Sequence, residues 1–426
     1  MKSKLIFKEK NKWKKIALKE IGVIITGKTP SSKNPEFFGN DFPFITASDL
    51  HVNRFVHKTI RGISSEGEKK FKKNMLPENS VIVSCIGWQM GKAAIVGRKS
   101  LTNQQINGII VDPNQADHDY VYYALKLERE YFFRLASSGS RTPILKKSLF
   151  EKQKIYLPTL DIQHKISSIL TKIDSKIENV QKMNENLDEI IQKTFQSWFL
   201  NSDVETKFKD TKIKNLSEWN KITFSKLTNL VIGGIWGKEI QDQEHSEPMY
   251  CVRGMDIPKI QQGNDKDIQL LFGKKNSMDK RKMFPGDIII EISGGSPTQL
   301  TGRSLFVTEE LLKRFNHKLY PASFCKLIRF DNIEEAIFAH NILKWVHNTK
   351  IISQYETGTT GIKNFQYQIF SEKFKFLLPP KKILRLFYER IEKMMIQKDT
   401  LVQEKQALEK MRDSLLPKLM SGEIKV

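Results

Sequence analysis

The stretch IYLPTLDIQHKISSILTKI (155–173) runs from an apolar, strand-like segment into Pro158 and then into apolar residues spaced three and four apart. Continued along the chain, that spacing predicts a helix of about forty residues in mid-chain. FKFLLPPKKILRLFYERIEKMMI (374–396) does the same near the far end. The first stripe comprises Ile166, Ile169, Ile173, Ile177, Val180, Leu187, Ile190 and Trp198. The second comprises Leu384, Phe387, Ile391, Met394, Leu401, Leu408, Met411, Leu415 and Leu419, with Lys398 and Lys405 interrupting it. At 1.5 Å per residue, a helix of that length extends roughly 60 Å, further than a small domain is wide. The expectation is an antiparallel two-helix coiled coil in which each stripe covers the other. The ordinary alternative is that each helix packs on its own domain.

Working outward, the chain repeats itself. WKKIALKEIGVIITGKTP from Trp13 matches WNKITFSKLTNLVIGGIWG from Trp219, and FITASDL (44–50) matches CVRGMDI (251–257), each closing on an aspartate, Asp49 or Asp256. LPENSVIVSCIG (76–87) matches FPGDIIIEISGG (284–295), and GKAAIV (91–96) matches GRSLFV (302–307). A helical segment (119–136 and 333–350) then precedes SSGSRTPI (137–144) and ETGTTGIK (356–363). A repeat in this order implies an α+β protein of two similar mixed α/β domains, each made of short strands and turn-rich loops. The expected division is a first domain at 1–158, a long helix at 159–200, a second domain at 201–380 and a second long helix at 381–426. The polar segment 201–220 reads as a linker.

Bulk properties narrow the function. The 426 residues carry 70 Lys and Arg against 48 Asp and Glu, a net charge of +22, and a field of that sign attracts polyanions. Lys, Asn, Ile and Phe are all plentiful, as AT-rich coding would produce, and mutational bias is the alternative reading of part of the excess. No apolar run is long enough for a bilayer span. The opening segment MKSKLIFKEKNKWKK has no apolar core, which sets the expectation of a cytoplasmic protein. Cys85, Cys251 and Cys325 are odd in number and far apart, so no disulfide framework is expected.

Catalytic motifs are absent. GWQMGKAA (87–94) has three residues between its glycines and Ala93 after Lys92, which is not a P-loop. FPGDIIIEIS (284–293) has the acidic rhythm of a metal-dependent nuclease strand, but Ser293 stands where the lysine belongs. His340 and His347 share a helical face without the rest of a zinc signature, so no metal site is expected.

GKTPSSKNPEFFGNDFPFITASDL (27–50), SCIGWQMGKAAIV (84–96), the stretch from SSGSRTPI to ENVQ (137–181) and MRDSLLPKLMSGEI (411–424), together with the duplication, resemble the specificity subunits of type I restriction-modification enzymes. The resemblance implies two target-recognition domains, related by a pseudo-two-fold, that read the halves of a bipartite DNA site across a gap set by the helices. It implies a non-catalytic chain whose partners are double-stranded DNA, two adenine-N6 methyltransferase subunits and motor-nuclease restriction subunits. S-adenosylmethionine, ATP and Mg²⁺ would belong to those partners, and no cofactor to this chain. Two departures stand in the second half: GGIWGKEIQDQEHSEPMY (233–250) lacks the Thr-Pro turn, and Lys398 with Lys405 weakens the seam.

Base-reading chemistry supplies the candidates, since Arg or Lys forks onto guanine and Gln or Asn onto adenine. They are Lys28, Lys33, Gln89, Lys92 and Arg141 in the first half, and Lys238, Arg253, Gln299, Arg303 and Lys363 in the second. Ser31, Ser140 and Thr359 suit phosphate contacts. Two other classes stay open at this point: a nuclease or nucleic-acid-modifying enzyme with a scattered site, and a coiled-coil adaptor that binds only proteins.

Overall fold

The computed structural model describes residues 13–50, 54–136, 144–200, 219–294, 299–358 and 361–426. Two compact units emerge, residues 1–178 with 407–426, and residues 179–406.

In the first unit Lys14–Ala17 pairs antiparallel with Lys154–Leu157. A five-stranded sheet follows in the order Gly22–Thr26, Ile106–Val111, Val81–Ser84, Ala93–Val96, Phe55–Val56. The β-branched run Val81-Ile82-Val83 is buried on both faces, which places it at the sheet's centre. A smaller sheet has the order Gly62–Ile63, Phe38–Ile45, Ser100–Thr102, Met75–Leu76.

The second unit repeats the order of four main-sheet strands and three smaller-sheet strands, and among the described residues has no counterpart of Phe55–Val56 or Met75–Leu76 in those sheets. Asn220–Thr223 pairs with Lys375–Leu378. The main sheet runs Leu230–Gly233, Cys325–Arg329, Ile288–Glu291, Ser304–Phe306. The smaller one runs Gln269–Gly273, Glu247–Val252, Lys318–Pro321, and its last two strands are parallel, as Phe38–Ile45 and Ser100–Thr102 are. The matched aspartates do the same work. Asp49 accepts from the Thr46 N–H at 2.7 Å and Asp256 from the Arg253 N–H at 3.0 Å, each closing a short turn after its strand. Three short strands, Ser293–Gly294, Glu356–Thr357 and Lys363–Phe365, form an extra sheet in this unit.

Prolines separate strands from long helices, because a residue without an N–H ends a ladder and opens a helix at no loss. After Lys154–Leu157, the Pro158 carbonyl accepts from Gln163 Nε2 at 2.8 Å, and the first long helix spans Leu160–Phe199. After Lys375–Leu378, the Pro380 carbonyl accepts from the Ile383 N–H at 2.9 Å, and the second spans Lys381–Ser421. Within the first unit Asp174 meets Arg412. Within the second, Asp188 meets Lys398, and the Phe195 and Phe387 rings lie 6.1 Å apart. Rising numbers on one helix meet falling numbers on the other, so the pair is antiparallel.

Each helix also packs on a domain, so both readings of the stripe hold. In the first unit Ile166, Leu170, Leu416 and Leu419 join Val81, Val83, Ile109 and Tyr120 in one core. In the second, Phe195, Phe199, Leu384, Phe387 and Ile391 join Ile288, Ile328 and Phe338. Ile177, Val180 and Leu401 are buried as well, and Ile173, Leu187, Trp198, Met394, Leu408 and Leu415 are half-buried. Three positions differ from the expected seam: Ile169, Ile190 and Met411 are 36%, 45% and 50% exposed. A helix covered by both a partner helix and a sheet buries a broad, shifted face, and Leu170 and Ile191 take the buried places beside them. The two lysines do not weaken the seam. Lys398 pairs with Asp188, and Lys405, 3% exposed, donates to the Gln262 carbonyl at 2.8 Å. The expected linker lies outside the described residues except for Trp219 and Asn220.

Candidate nucleic-acid interface

In the first unit one turn gathers the loops. Lys28 N–H donates to Thr102 O at 2.8 Å, Gly27 N–H to Ile106 O at 3.1 Å and Cys85 N–H to Gln105 O at 2.7 Å. The loops after Gly22–Thr26 and Val81–Ser84 therefore emerge beside the turn Asn103-Gln104-Gln105. Lys28, Ser31, Lys33 and Gln89 are exposed there, and Lys92 is half-buried. Lys28 Nζ lies 6.0 Å from the Phe71 ring, while the Ser31 hydroxyl accepts from the Lys33 N–H at 3.3 Å. Gly91, at φ 76°, is needed twice over: a side chain would be strained, and its Cβ would lie 2.8 Å from Arg129 Cγ. That approach puts Arg129 against the loop. Lys92 Nζ donates to Gln89 Oε1 at 2.8 Å, and burial, reinforced by Arg129, holds its ammonium below the ordinary lysine range. Gln89 keeps its amide N–H groups and a second lone pair for a base edge.

The second unit has the same backbone skeleton. Ile235 N–H donates to Pro321 O at 2.8 Å, Gly234 N–H to Cys325 O at 2.9 Å and Ile292 N–H to Phe324 O at 2.8 Å. Its four candidate cations, however, are occupied. Arg253 forks onto Asp256 at 2.8 and 2.9 Å, and Arg303 onto Glu291 at 2.8 and 2.5 Å. Lys238 pairs with Asp242 at 2.7 Å and Lys363 with Glu356 at 3.2 Å. Burial pushes the Glu356 carboxyl up, but hydrogen bonds from Thr301 and Lys363 outweigh it and hold it below the usual range. Arg253 and Arg303 thus brace loops of their own chain, and their forks are not open to guanine. Gln299 is exposed, while Ser140, Arg141 and Thr359 lie outside the described residues.

The remaining chemical candidates are structural. Asp287 and Glu291, the acidic pair on the nuclease-like strand, are 1% exposed and bonded to Arg329 and Arg303. His340 is half-buried, with Nδ1 3.4 Å from Ser304 Oγ and its ring against that of Phe306. Burial pushes the thiols of Cys85, Cys251 and Cys325 up to about 12, so they are inert. Asp117, His118 and Asp119 form the one group among the described residues with metal-ligand spacing. Its carboxylates are engaged by Ser167 at 2.6 Å and Arg54 at 2.7 Å. No helix among the described residues is long and apolar enough to cross a membrane.

Gln104, Gln105 and Arg129 stand beside these loops and Phe324 is exposed at the corresponding turn of the second unit, although none is among the candidates read from residue chemistry. The amides stand in TNQQI (102–106), a legible polar turn between strands. Arg129 comes to the loop through the Gly91 approach.

Residues 10–189 match the family described as Type I restriction modification DNA specificity domain. The HindI specificity subunit of Haemophilus influenzae is 39% identical over 174 residues, 39% of this chain and 38% of that protein. The MjaIX specificity subunit of Methanocaldococcus jannaschii is 25% identical over 97% of this chain and 94% of that protein. The crystal structure of a type I restriction-modification S subunit from M. genitalium shares the fold, with a TM-score of 0.55, 16% identity and 96% of each chain covered. The likeness to specificity subunits is therefore higher over a stretch of 174 residues, and end to end at lower identity.

Proposed function

We infer that this protein is a DNA specificity subunit of a type I restriction-modification system, a chain that recognises sequence and performs no catalysis itself. The observation that carries the reading is the duplication: two units that share four main-sheet strands in one order and one loop skeleton, each presenting a turn and glycine-bearing loops at the same end of its main sheet. Each unit reads one half of a bipartite site, and the paired helices set the unread gap. The site is asymmetric because the two loop clusters carry different side chains, exposed Lys28, Lys33 and Gln89 against self-paired Arg253 and Arg303. The net charge of +22 supplies the sequence-independent attraction to the duplex. Two methyltransferase subunits using S-adenosylmethionine, and restriction subunits using ATP and Mg²⁺, complete the assembly in the cytoplasm.

Selection from a pool of random duplexes by the purified chain tests this. The expected result is enrichment of one split sequence, bound with an affinity that falls on salt addition with a log–log slope of about 0.9 per phosphate neutralised. A pool that emerges unenriched would favour a protein-only adaptor. Cleavage or modification of the duplexes by the chain alone with Mg²⁺ would favour an enzyme.

A further inference from the structure

The two loop skeletons correspond residue by residue in their hydrogen bonds at one turn, where the chain passes from the smaller sheet to the main sheet. Cys85 N–H donates to Gln105 O, and Ile292 N–H donates to Phe324 O. Ile106 N–H closes its turn on Asn103 O at 3.1 Å, and Cys325 N–H closes its turn on Ala322 O at 2.8 Å. Asn103-Gln104-Gln105 and Ala322-Ser323-Phe324 are therefore the same turn in the two units. Their chemistry is not the same. The first turn carries three amides, and exposed Gln104 accepts from Thr29 Oγ1 at 2.5 Å. The second carries a hydroxyl and a phenyl ring.

The exposure of Phe324 has no folding explanation. The ring is 67% exposed, although the backbone beneath it is fixed by three hydrogen bonds. Besides closing the turn through Cys325, the residue accepts at its carbonyl from Ile292 at 2.8 Å and from Ser293 at 3.2 Å. A rigid turn with an outward ring is pre-organised for contact. Two further exposed apolar side chains are tied to the same region. Trp236, 49% exposed, follows Ile235, whose N–H is on Pro321 O. Ile362, 65% exposed, precedes the strand Lys363–Phe365, which pairs with Ser293–Gly294. The carboxylates Glu291 and Glu356 in this region are already neutralised by Arg303 and Lys363, so the surface presents no unpaired negative charge from them to a polyanion.

Resting on the specificity-subunit reading, we propose that this turn contacts base edges in both units, with amides in the first and with Phe324 on a thymine methyl group in the second. Amides pair with adenine, and in the major groove the feature that an apolar side chain distinguishes is the thymine C5-methyl. Arg253, Arg303, Lys238 and Lys363 are all paired within the chain, and the turn Ala322-Ser323-Phe324 itself carries no cation, so apolar contact is what this turn offers a base.

The test uses the full chain and the duplex enriched from the random pool. Each thymine in turn is replaced by deoxyuridine, which removes only the methyl. The parent protein is expected to lose about 5- to 30-fold in affinity at one thymine, within the order of a single base contact. Phe324→Ala should bind the unmodified duplex with the same loss, be indifferent to uracil at that position, and bind random duplex as the parent does. Phe324→Leu should retain part of the discrimination. Parent-like affinity and specificity in Phe324→Ala, or a site at which no uracil weakens binding, overturns the proposal while leaving the specificity reading intact. A random pool that yields no preferred duplex overturns both.

Discussion

Asp174 and Arg412 are 238 residues apart in sequence, yet Arg412 Nη1 donates to Asp174 Oδ1 at 2.9 Å, with the side chains 6% and 10% exposed. Tyr123 donates its hydroxyl to the other carboxylate oxygen at 2.7 Å. One ion pair thus ties the two long helices to each other and to the sheet-covering helix of the first unit.

Breaking that pair from one side leaves a buried guanidinium with half its partners, which costs about 3–5 kcal/mol. Asp174→Asn is expected to lower the urea midpoint accordingly, with hydrogen exchange locating the loss to residues 160–178. Joint replacement, Asp174→Leu with Arg412→Met, removes both charges and should recover most of the loss. Equal stability of the single variant and the parent would show that the pair holds nothing.

His340 gives the second unit an acid-sensitive element. Burial, reinforced by Lys344 and Lys398 against the opposing Asp188, lowers its imidazole to about 3. Between the ordinary value of about 6.5 and that lowered value, the unfolded chain holds a proton that the folded chain does not. Stability contributed by neutral His340 is therefore full above pH ~6.5 and falls by about 1.4 kcal/mol per pH unit below it. His347, also depressed by burial, adds to the slope. Chemical unfolding from pH 7 to 4.5 should show the decline, and His340→Gln should flatten part of it. An unchanged slope in the variant would remove His340 as its source.

Much of this architecture was legible because it is written in periodicity and repetition. The three-and-four spacing gave both long helices, Pro158 and Pro380 gave their starts, and the matched Asp49 and Asp256 gave the duplicated turns. The precise buried face was not legible. Ile169 and Ile190 satisfy the spacing but face outward, since spacing on one helix says nothing of how widely a domain covers it. The contact residues were least legible, because a cation in a loop looks the same in sequence whether free, as with exposed Lys33, or clamped like Arg303 on Glu291. The clamping carboxylate lies twelve residues away on a neighbouring strand.

Lys405 sharpens the difference between seam and anchor. As an interruption of an apolar stripe, its replacement by leucine would stabilise the pair of helices. The side chain is instead buried and donates to Gln262 O at 2.8 Å and Asn264 Oδ1 at 3.3 Å, holding the segment after the short helix Ile257–Gln261. Lys405→Leu leaves the Gln262 carbonyl without that donor and is expected to destabilise by about 1–3 kcal/mol. Faster hydrogen exchange at residues 257–264 should accompany the loss. A gain in stability would return Lys405 to the seam.

Arg303 and Gln89 separate bracing from reading. Arg303→Ala strands Glu291, a carboxylate 1% exposed against which Gly254 and Gly294 pack so closely that an added Cβ would lie 2.3 and 2.6 Å from Oε1. The cost is about 3–5 kcal/mol of stability, and any DNA affinity that survives should be weakened evenly over all duplexes. Gln89→Ala alters an exposed side chain, so the fold should hold while discrimination at one base pair drops by about 1–3 kcal/mol. Binding of each variant to duplexes mutated one position at a time, beside urea unfolding, distinguishes the two patterns. If Arg303→Ala kept parental stability and relaxed the preference at a single position, the guanidinium would have to leave Glu291 on binding, and the fork would belong to guanine after all.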